Sequence, residues 1–211
     1  MANGRVHGVT STALAGSVCL FHPMQMGQAV KLYKVVTRRD VVDTQALKNL
    51  MTDLVLNHYA HTRQTVQRIV VYRDGGSRGS MDTIKAEELK VVREAFKDVF
   101  PGADEPTLTF VVSNKDHNIN IVPSTWSEDS KRRNVPSGTT VSVVEEFRMN
   151  NNDPMGEFSF LLTAQGGLKG TSKPMLYTCL VNENLSSGLD KAKLKSLTYD
   201  LSFQCKSTLP F

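Results

Sequence analysis

Most chemistry-bearing residues of this 211-residue chain fall in loops, and one acid among them stands apart. Asp74 follows the apolar run Ile69-Val70-Val71-Tyr72 and precedes Gly75-Gly76. A carboxylate just past the C-terminal end of a buried strand lies where open α/β sheets gather their active sites. There it is placed to hold a divalent cation, as in two-metal phosphodiester hydrolysis. The plainer reading is an Asp that shapes a turn beside Gly75. One acid does not decide between them, because Mg2+ takes oxygen ligands in octahedral geometry and a pair of ions needs several carboxylates. Asp40 and Asp43 stand upstream, where they either approach Asp74 or open a helix whose macrodipole favours an acid. Glu87, Glu88, Asp104, Glu105, Glu145 and Glu146 read as solvated charges.

A second set of residues is basic. Lys115, His117, Lys131, Arg132, Arg133, Lys169 and Lys173 lie in or beside predicted loops, and a groove that binds a polyanion backbone needs such cations. A solvated basic turn explains Lys131, Arg132 and Arg133 equally well. The stretch Gln165-Gly166-Gly167-Leu168-Lys169-Gly170-Thr171-Ser172-Lys173 combines close backbone approach with donors for phosphate or sugar oxygens, or is a plain connection between strands. Trp126 is the only tryptophan, and a lone aromatic in a polar loop makes no stacking platform.

The elements that must position these groups follow from periodicity. Residues 13–20 and 31–36 read as strands joined by a hairpin-like connection over 22–27. Leu47, Leu50, Met51, Leu54, Val55 and His58 recur at helical steps and predict an amphipathic helix over 44–59. Residues 68–72 predict a buried strand. Ile84, Glu88, Val91, Val92, Ala95, Phe96 and Val99 predict a second helix, capped by Asp82 or Thr83 and stopped by Phe100-Pro101-Gly102. A strand over 107–112 completes a strand–helix–strand unit, which implies parallel pairing. Residues 113–138 read as irregular. Strands over 139–144, 157–163 and 175–181 precede a helix over 189–204, with Leu194, Leu197 and Leu201 on one stripe. The order suits an α/β class with a mixed sheet flanked by helices, of which the ribonuclease-H-like fold is one form.

Composition narrows the classes. The net charge of +4 and a pI of about 9.0 are compatible with a polyanionic partner. No apolar run is long enough to span a bilayer, and residues 1–10 lack the pattern of a secretory signal. Cys19, Cys179 and Cys205 have no metal-ligand spacing and read as free thiols of a reducing compartment.

Five stretches, in order, resemble the Piwi domain of the Argonaute family. Tyr72-Arg73-Asp74-Gly75 with Ser77 and Gly79 is similar to the family's Y-R-D-G-x-S-x-G, and Glu88-Leu89 follows as expected. Val111-Val112 to His117 resembles the strand and basic-histidine turn. Asn134-Val135-Pro136-Ser137-Gly138-Thr139-Thr140-Val141 resembles N-x-P-x-G-T-x-V. Phe158 to Lys173, with Pro174 and Tyr177, resembles the family's F-x-L segment with its G-T-[SA]-[KR]-P turn, and Leu197-Thr198-Tyr199 its late L-T-Y. The likeness is greatest to the divergent Argonautes of nematodes.

The resemblance implies a ribonuclease-H-like α/β fold, incomplete at both ends, with 11–211 a partial Piwi domain and 1–10 a non-matching segment. It implies a small guide RNA and a target RNA as partners, silencing-complex proteins as further ones, no membrane, and a place in cytoplasm or nucleus. It assigns guide-backbone contacts to Lys115, His117, Gln165 and Lys173, with Arg78, Lys131, Arg132 and Arg133 as weaker ones. Of the family's cutting site only Asp74 is clearly matched, as a catalytic and metal-binding remnant. Asp40 falls where the family has a Glu and is a methylene shorter. The strand that bears the first Asp belongs upstream of 11, where this chain has no Asp, and the last ligand belongs beyond Phe211. The expectation is therefore an RNA-binding domain without slicer activity and without a cofactor. The alternatives are a metal-dependent, guide-directed endoribonuclease whose missing ligands lie in a longer isoform, using Mg2+ only there, and a truncated product with no stable activity. With no good strand in residues 1–10, the strands over 13–20 and 68–72 are expected to lack backbone partners, leaving the isolated chain marginal in stability.

Overall fold

The computed structural model describes residues 10–19, 26–35, 42–123, 134–143, 158–165 and 171–204. The chain divides into two compact units, Met1–Ile69 with Gly76–Pro106, and Val70–Gly75 with Thr107–Phe211.

In the first unit, β1 (Thr10–Cys19) and β2 (Met26–Val35) form an antiparallel ladder from Thr10↔Val35 to Cys19↔Met26. Both strands begin earlier than the apolar runs read from the sequence, because the backbone ladder runs on beyond those runs to Thr10 and Met26. Met26 and Gly27, expected in the connection, therefore belong to β2. α1 (Thr44–Thr62) packs on both strands and on α2 (Met81–Val99). Asp43 is the cap of α1: its carboxylate accepts the Ala46 N–H at 2.7 Å, which satisfies one of the unpaired donors of the first turn. Leu47, Leu50, Met51, Leu54 and Val55 from α1, and Ile84, Leu89, Val92, Ala95 and Phe96 from α2, are buried.

Two expectations for α2 are corrected. Its N-cap is Ser80, not Asp82 or Thr83, because a 3-10 turn over Arg78–Ser80 runs directly into it. Glu88 is not a solvated charge: it is 1% exposed and accepts the Val42 N–H at 3.0 Å. Its place on the stripe between Ile84 and Val91 carried that information, since a charge on a buried stripe is kept only with a partner.

The second unit is built on a five-stranded sheet. β3 (Arg68–Asp74) starts in the first unit, and β4 (Thr107–Asn114), β5 (Thr139–Val143), β6 (Phe158–Thr163) and β7 (Met175–Asn182) follow, in the order β3-β4-β7-β6-β5. β4 with β7, β7 with β6, and β6 with β5 pair antiparallel. β3 and β4 are neighbours, as the strand–helix–strand reading requires. Their C-terminal ends coincide, with the Gly75 N–H donating to Ser113 O at 2.8 Å. β3 was expected to be buried; instead its residues are half-buried or exposed, with Val70 36% exposed. Its place at the end of the strand order gives it one strand neighbour among the described residues.

α3 (Lys191–Gln204) covers one face of this sheet, where Val111, Cys179 and Leu194 form a core with Tyr72, Phe158, Tyr177, Leu189 and Leu197 around it. Leu201, at the end of the predicted stripe, is 37% exposed. At the far end of β4 and β7 a buried polar lock closes the sheet. Thr109 donates to Asn182 Oδ1 at 2.8 Å, Asn184 donates to Thr109 at 2.9 Å, and Asn182 donates to Leu189 O at 2.9 Å.

Tyr72 ties β3 to α3. Its hydroxyl donates to Thr198 Oγ1 at 2.8 Å, and that hydroxyl spends its own proton on Leu194 O at 2.7 Å. Burial pushes the Tyr72 phenol up to about 12, from an ordinary value of 10.0. The folded state thus favours the neutral phenol, and this stabilisation is complete below pH 10 and lost as pH rises towards about 12. Two units correspond to about 3 kcal/mol at ~1.36 kcal/mol each. Tyr72→Phe should remove that alkaline loss. Urea unfolding across this pH range should show wild type falling towards the variant, and parallel curves would contradict the assignment.

Candidate functional site

The sheet edge at which β3, β4 and β6 end is the edge at which β5 and β7 begin: Asn114 is opposite Leu176, Leu162 opposite Met175, and Thr139 opposite Thr163. Five chain segments leave or enter the sheet there, and their backbone groups have run out of ladder partners. Neighbouring loops supply replacements. Besides the Gly75–Ser113 bond, the Gly138 N–H donates to Thr163 O at 2.8 Å and the Ser172 N–H to Asn134 Oδ1 at 2.7 Å. The Ser137 hydroxyl donates to Ala164 O and accepts from the Tyr199 hydroxyl at 3.1 Å. His117 Nε2 is bonded to Pro174 O at 2.9 Å.

Asp74 is the last residue of β3 rather than the first of the loop, and it is exposed. Its carboxylate accepts the Ser113 hydroxyl at 3.2 Å. Gly75 turns the chain with φ 75°, while Arg73 Nη1 donates to the carbonyls of Asp74 and Gly75. Beside them Tyr177 is half-buried; burial, reinforced by the Asp74 charge, pushes its phenol up. A pair of divalent cations requires a cage of oxygen ligands. Among the described residues no group of three or more His, Cys, Asp or Glu side chains could hold a metal ion, and Asp40 lies outside them.

The same edge carries cations as well as acids. Lys115 follows β4, and Lys173 precedes Pro174 and β7; both are exposed, and neither makes an ion pair among the described residues. Gln165, two residues past β6, is exposed at the same edge. The exposed acids there are Asp74 and Asp116. The edge therefore offers two ammonium groups and an amide beside two carboxylates, on loops cross-tied by hydrogen bonds. The ammonium groups and the amide suit a phosphodiester backbone.

Of the sequence-derived site residues, the edge collects Asp74, Lys115, His117, Gln165 and Lys173. Arg78 opens the 3-10 turn in the other unit. Asp40, Lys131, Arg132 and Arg133 lie outside the described residues, as does Trp126. Sequence reasoning missed the connecting role of Ser113, Ser137 and Asn134. Asn134 and Ser137 flank the Pro136 turn, and short polar side chains beside a turn are the available signal.

A family model described as the Piwi domain matches residues 2–209. Putative protein tag-76 of Caenorhabditis elegans is 30% identical over 201 residues, covering 95% of this chain and 18% of its own. Protein argonaute 12 of Oryza sativa subsp. japonica is 32% identical over 155 residues, 73% of this chain and 14% of its own. The chain thus spans less than a fifth of the length of these curated relatives. Among solved structures, Drosophila Piwi superposes with a TM-score of 0.68 at 23% identity, over 90% of this chain and 23% of that one. The Argonaute of Kluyveromyces polysporus, solved with a guide RNA, gives 0.64 at 18% identity, over 95% of this chain and 23% of that one.

One glycine tests the edge. Gly138 has φ 84°, and a Cβ there would lie 3.1 Å from Cζ of Tyr199. Gly138→Ala should therefore cost about 1–3 kcal/mol through backbone strain and displacement of the Tyr199 ring. The melting temperature should fall by roughly 2–4 °C per kcal/mol. An unchanged melt would show that Tyr199 is not seated on this turn.

Proposed function

The chain belongs to the Piwi domain family, and from that membership we propose that it is the RNA-holding part of an Argonaute-like silencing protein, one that presents guide and target RNA without cutting. Its fold is the ribonuclease-H-like α/β fold of that family, with a mixed five-stranded sheet. No helix among the described residues is long and apolar enough to cross a membrane. The observation that carries the proposal is the pair of exposed lysines, Lys115 and Lys173, on loops joined by the His117–Pro174 bond. Each can neutralise a phosphate, and fixed loops reduce the ordering cost that binding would otherwise incur. Gln165 supplies a neutral donor for a phosphate or sugar oxygen. Duplex RNA recognised in this way is read through phosphates and 2′-hydroxyls rather than base edges. The relative solved with a guide RNA supports the partner class.

The non-cutting half of the proposal rests on Asp74. It is the one residue that clearly matches the cutting site of the family the sequence resembles, and a two-metal site demands several carboxylates. No metal-dependent step is assigned to it.

The test is binding of a labelled single-stranded RNA at increasing salt. Changing Lys115 and Lys173 together to Ala should weaken binding and lower the slope of log K against log salt by about 1.4, at ~0.7 for each lost phosphate contact. Unchanged affinity and slope would place the RNA elsewhere. Incubating the guide-loaded chain with a complementary RNA and Mg2+ should give no specific product; one cut, abolished by Asp74→Ala, would overturn the non-cutting assignment.

A further inference from the structure

We propose that His117 is a positioning residue, whose imidazole locks the loop after β4 to the segment before β7 and so fixes the spacing of Lys115 and Lys173, instead of contacting RNA itself. This rests on the RNA-holding reading of the sheet edge and adds a division of labour within it.

Both ring nitrogens are committed inside the protein. The Ile119 N–H donates to Nδ1 at 3.2 Å, so Nδ1 is an acceptor. Nε2 then carries the hydrogen and donates to Pro174 O at 2.9 Å. The imidazole has no remaining N–H for a phosphate. The ring is half-buried, whereas Lys115 two residues before it is exposed.

The two partners explain why a clamp is needed here. Pro174 immediately precedes β7, whose ladder with β4 ends at Asn114↔Leu176, so its carbonyl lies beyond the strand pairing. On the other side the chain folds back tightly: the His117 N–H donates to Lys115 O at 3.0 Å, and the Asp116 N–H to Asn114 Oδ1 at 2.6 Å. The turn that presents Lys115 is thereby rigid in itself, and the imidazole anchors it to the residue next to Lys173. Farther along the same segment, Ser172 is held through Asn134. The lysines are attached to opposite ends of one hydrogen-bonded bridge, so two phosphates of a continuous backbone meet a fixed pair of cations. The clamp needs a ring that accepts at one nitrogen and donates at the other, which a lysine cannot do.

The experiment compares wild type with His117→Gln, His117→Lys and His117→Ala in the full chain. Affinity for a fluorescein-labelled single-stranded RNA is measured over a range of salt, with melting temperatures alongside. Nitrogen-15 spectra report the imidazole tautomer of wild type with and without RNA. Gln keeps a donor at the Nε2 position and should bind within about twofold of wild type. Lys and Ala should each lose about tenfold, as expected for loop ordering that binding must now supply. The salt slope should not fall in the Gln variant, and the Nε2–H form should persist when RNA is bound.

A His117→Lys variant that binds as well as wild type, with Gln weaker and its slope reduced, would show a direct phosphate contact and overturn the proposal. So would a tautomer change on adding RNA, a reading that needs no variant to fold. Wild type that binds no RNA would instead overturn the RNA-holding reading, and this role with it, even with the tautomer as described.

Discussion

The second unit depends on satisfying the backbone where its strands run out. A sheet supplies each interior N–H and C=O with a partner, but at the common edge five segments turn away together. An unsatisfied buried group costs about 1–3 kcal/mol, a large share of a domain's whole stability. The bonds of Gly75 to Ser113, Gly138 to Thr163, Ser172 to Asn134 and His117 to Pro174 meet that demand without a ladder. Satisfying those groups also fixes the loops, and fixed loops hold exposed Lys115, Gln165 and Lys173 at one edge.

Rigidity at the edge is transmitted from the core beneath it. Phe160 stacks on Tyr177 with ring centroids 5.2 Å apart, and α3 is pinned to the sheet through Leu194 and the Tyr72–Thr198 bond. At the opposite end, Thr109, Asn182 and Asn184 are all at most 2% exposed and bond to one another, so β4 and β7 cannot slip in register without leaving buried amides unpaired. The register that places Asn114 opposite Leu176 is thus held from both ends, and it is this register that brings the turn bearing Lys115 beside Lys173.

Much of this was legible in the sequence. The helical steps of Leu47, Leu50, Leu54 and of Ile84, Val91, Val92 placed both central helices, because burying an apolar stripe decides helix position. The order of elements and the motif around Asp74 gave the fold class. What periodicity could not reveal were cap and polar contacts. Ser80 rather than Asp82 or Thr83 is the cap of α2, since the preceding 3-10 turn depends on local backbone geometry that no side-chain pattern encodes. Glu88 looked like a surface charge beside Glu87, yet its partner is a backbone N–H 46 residues away, at Val42. β3 looked buried from composition alone, but burial of a strand depends on its neighbours in the sheet. Within the site, Lys115 and Lys173 were legible as residue types. That His117 bonds to Pro174 was not, because the bond joins positions 57 residues apart.

The central claim is that a preformed, hydrogen-bonded sheet edge holds RNA. Amide hydrogen exchange of the full chain, with and without a short single-stranded RNA, tests it most directly. Slowed exchange in the segments around Lys115–His117, Gln165 and Ser172–Lys173, with no change in the Thr109–Asn184 lock at the opposite end, is the result predicted. Protection confined to other segments, or none anywhere at saturating RNA, would contradict it.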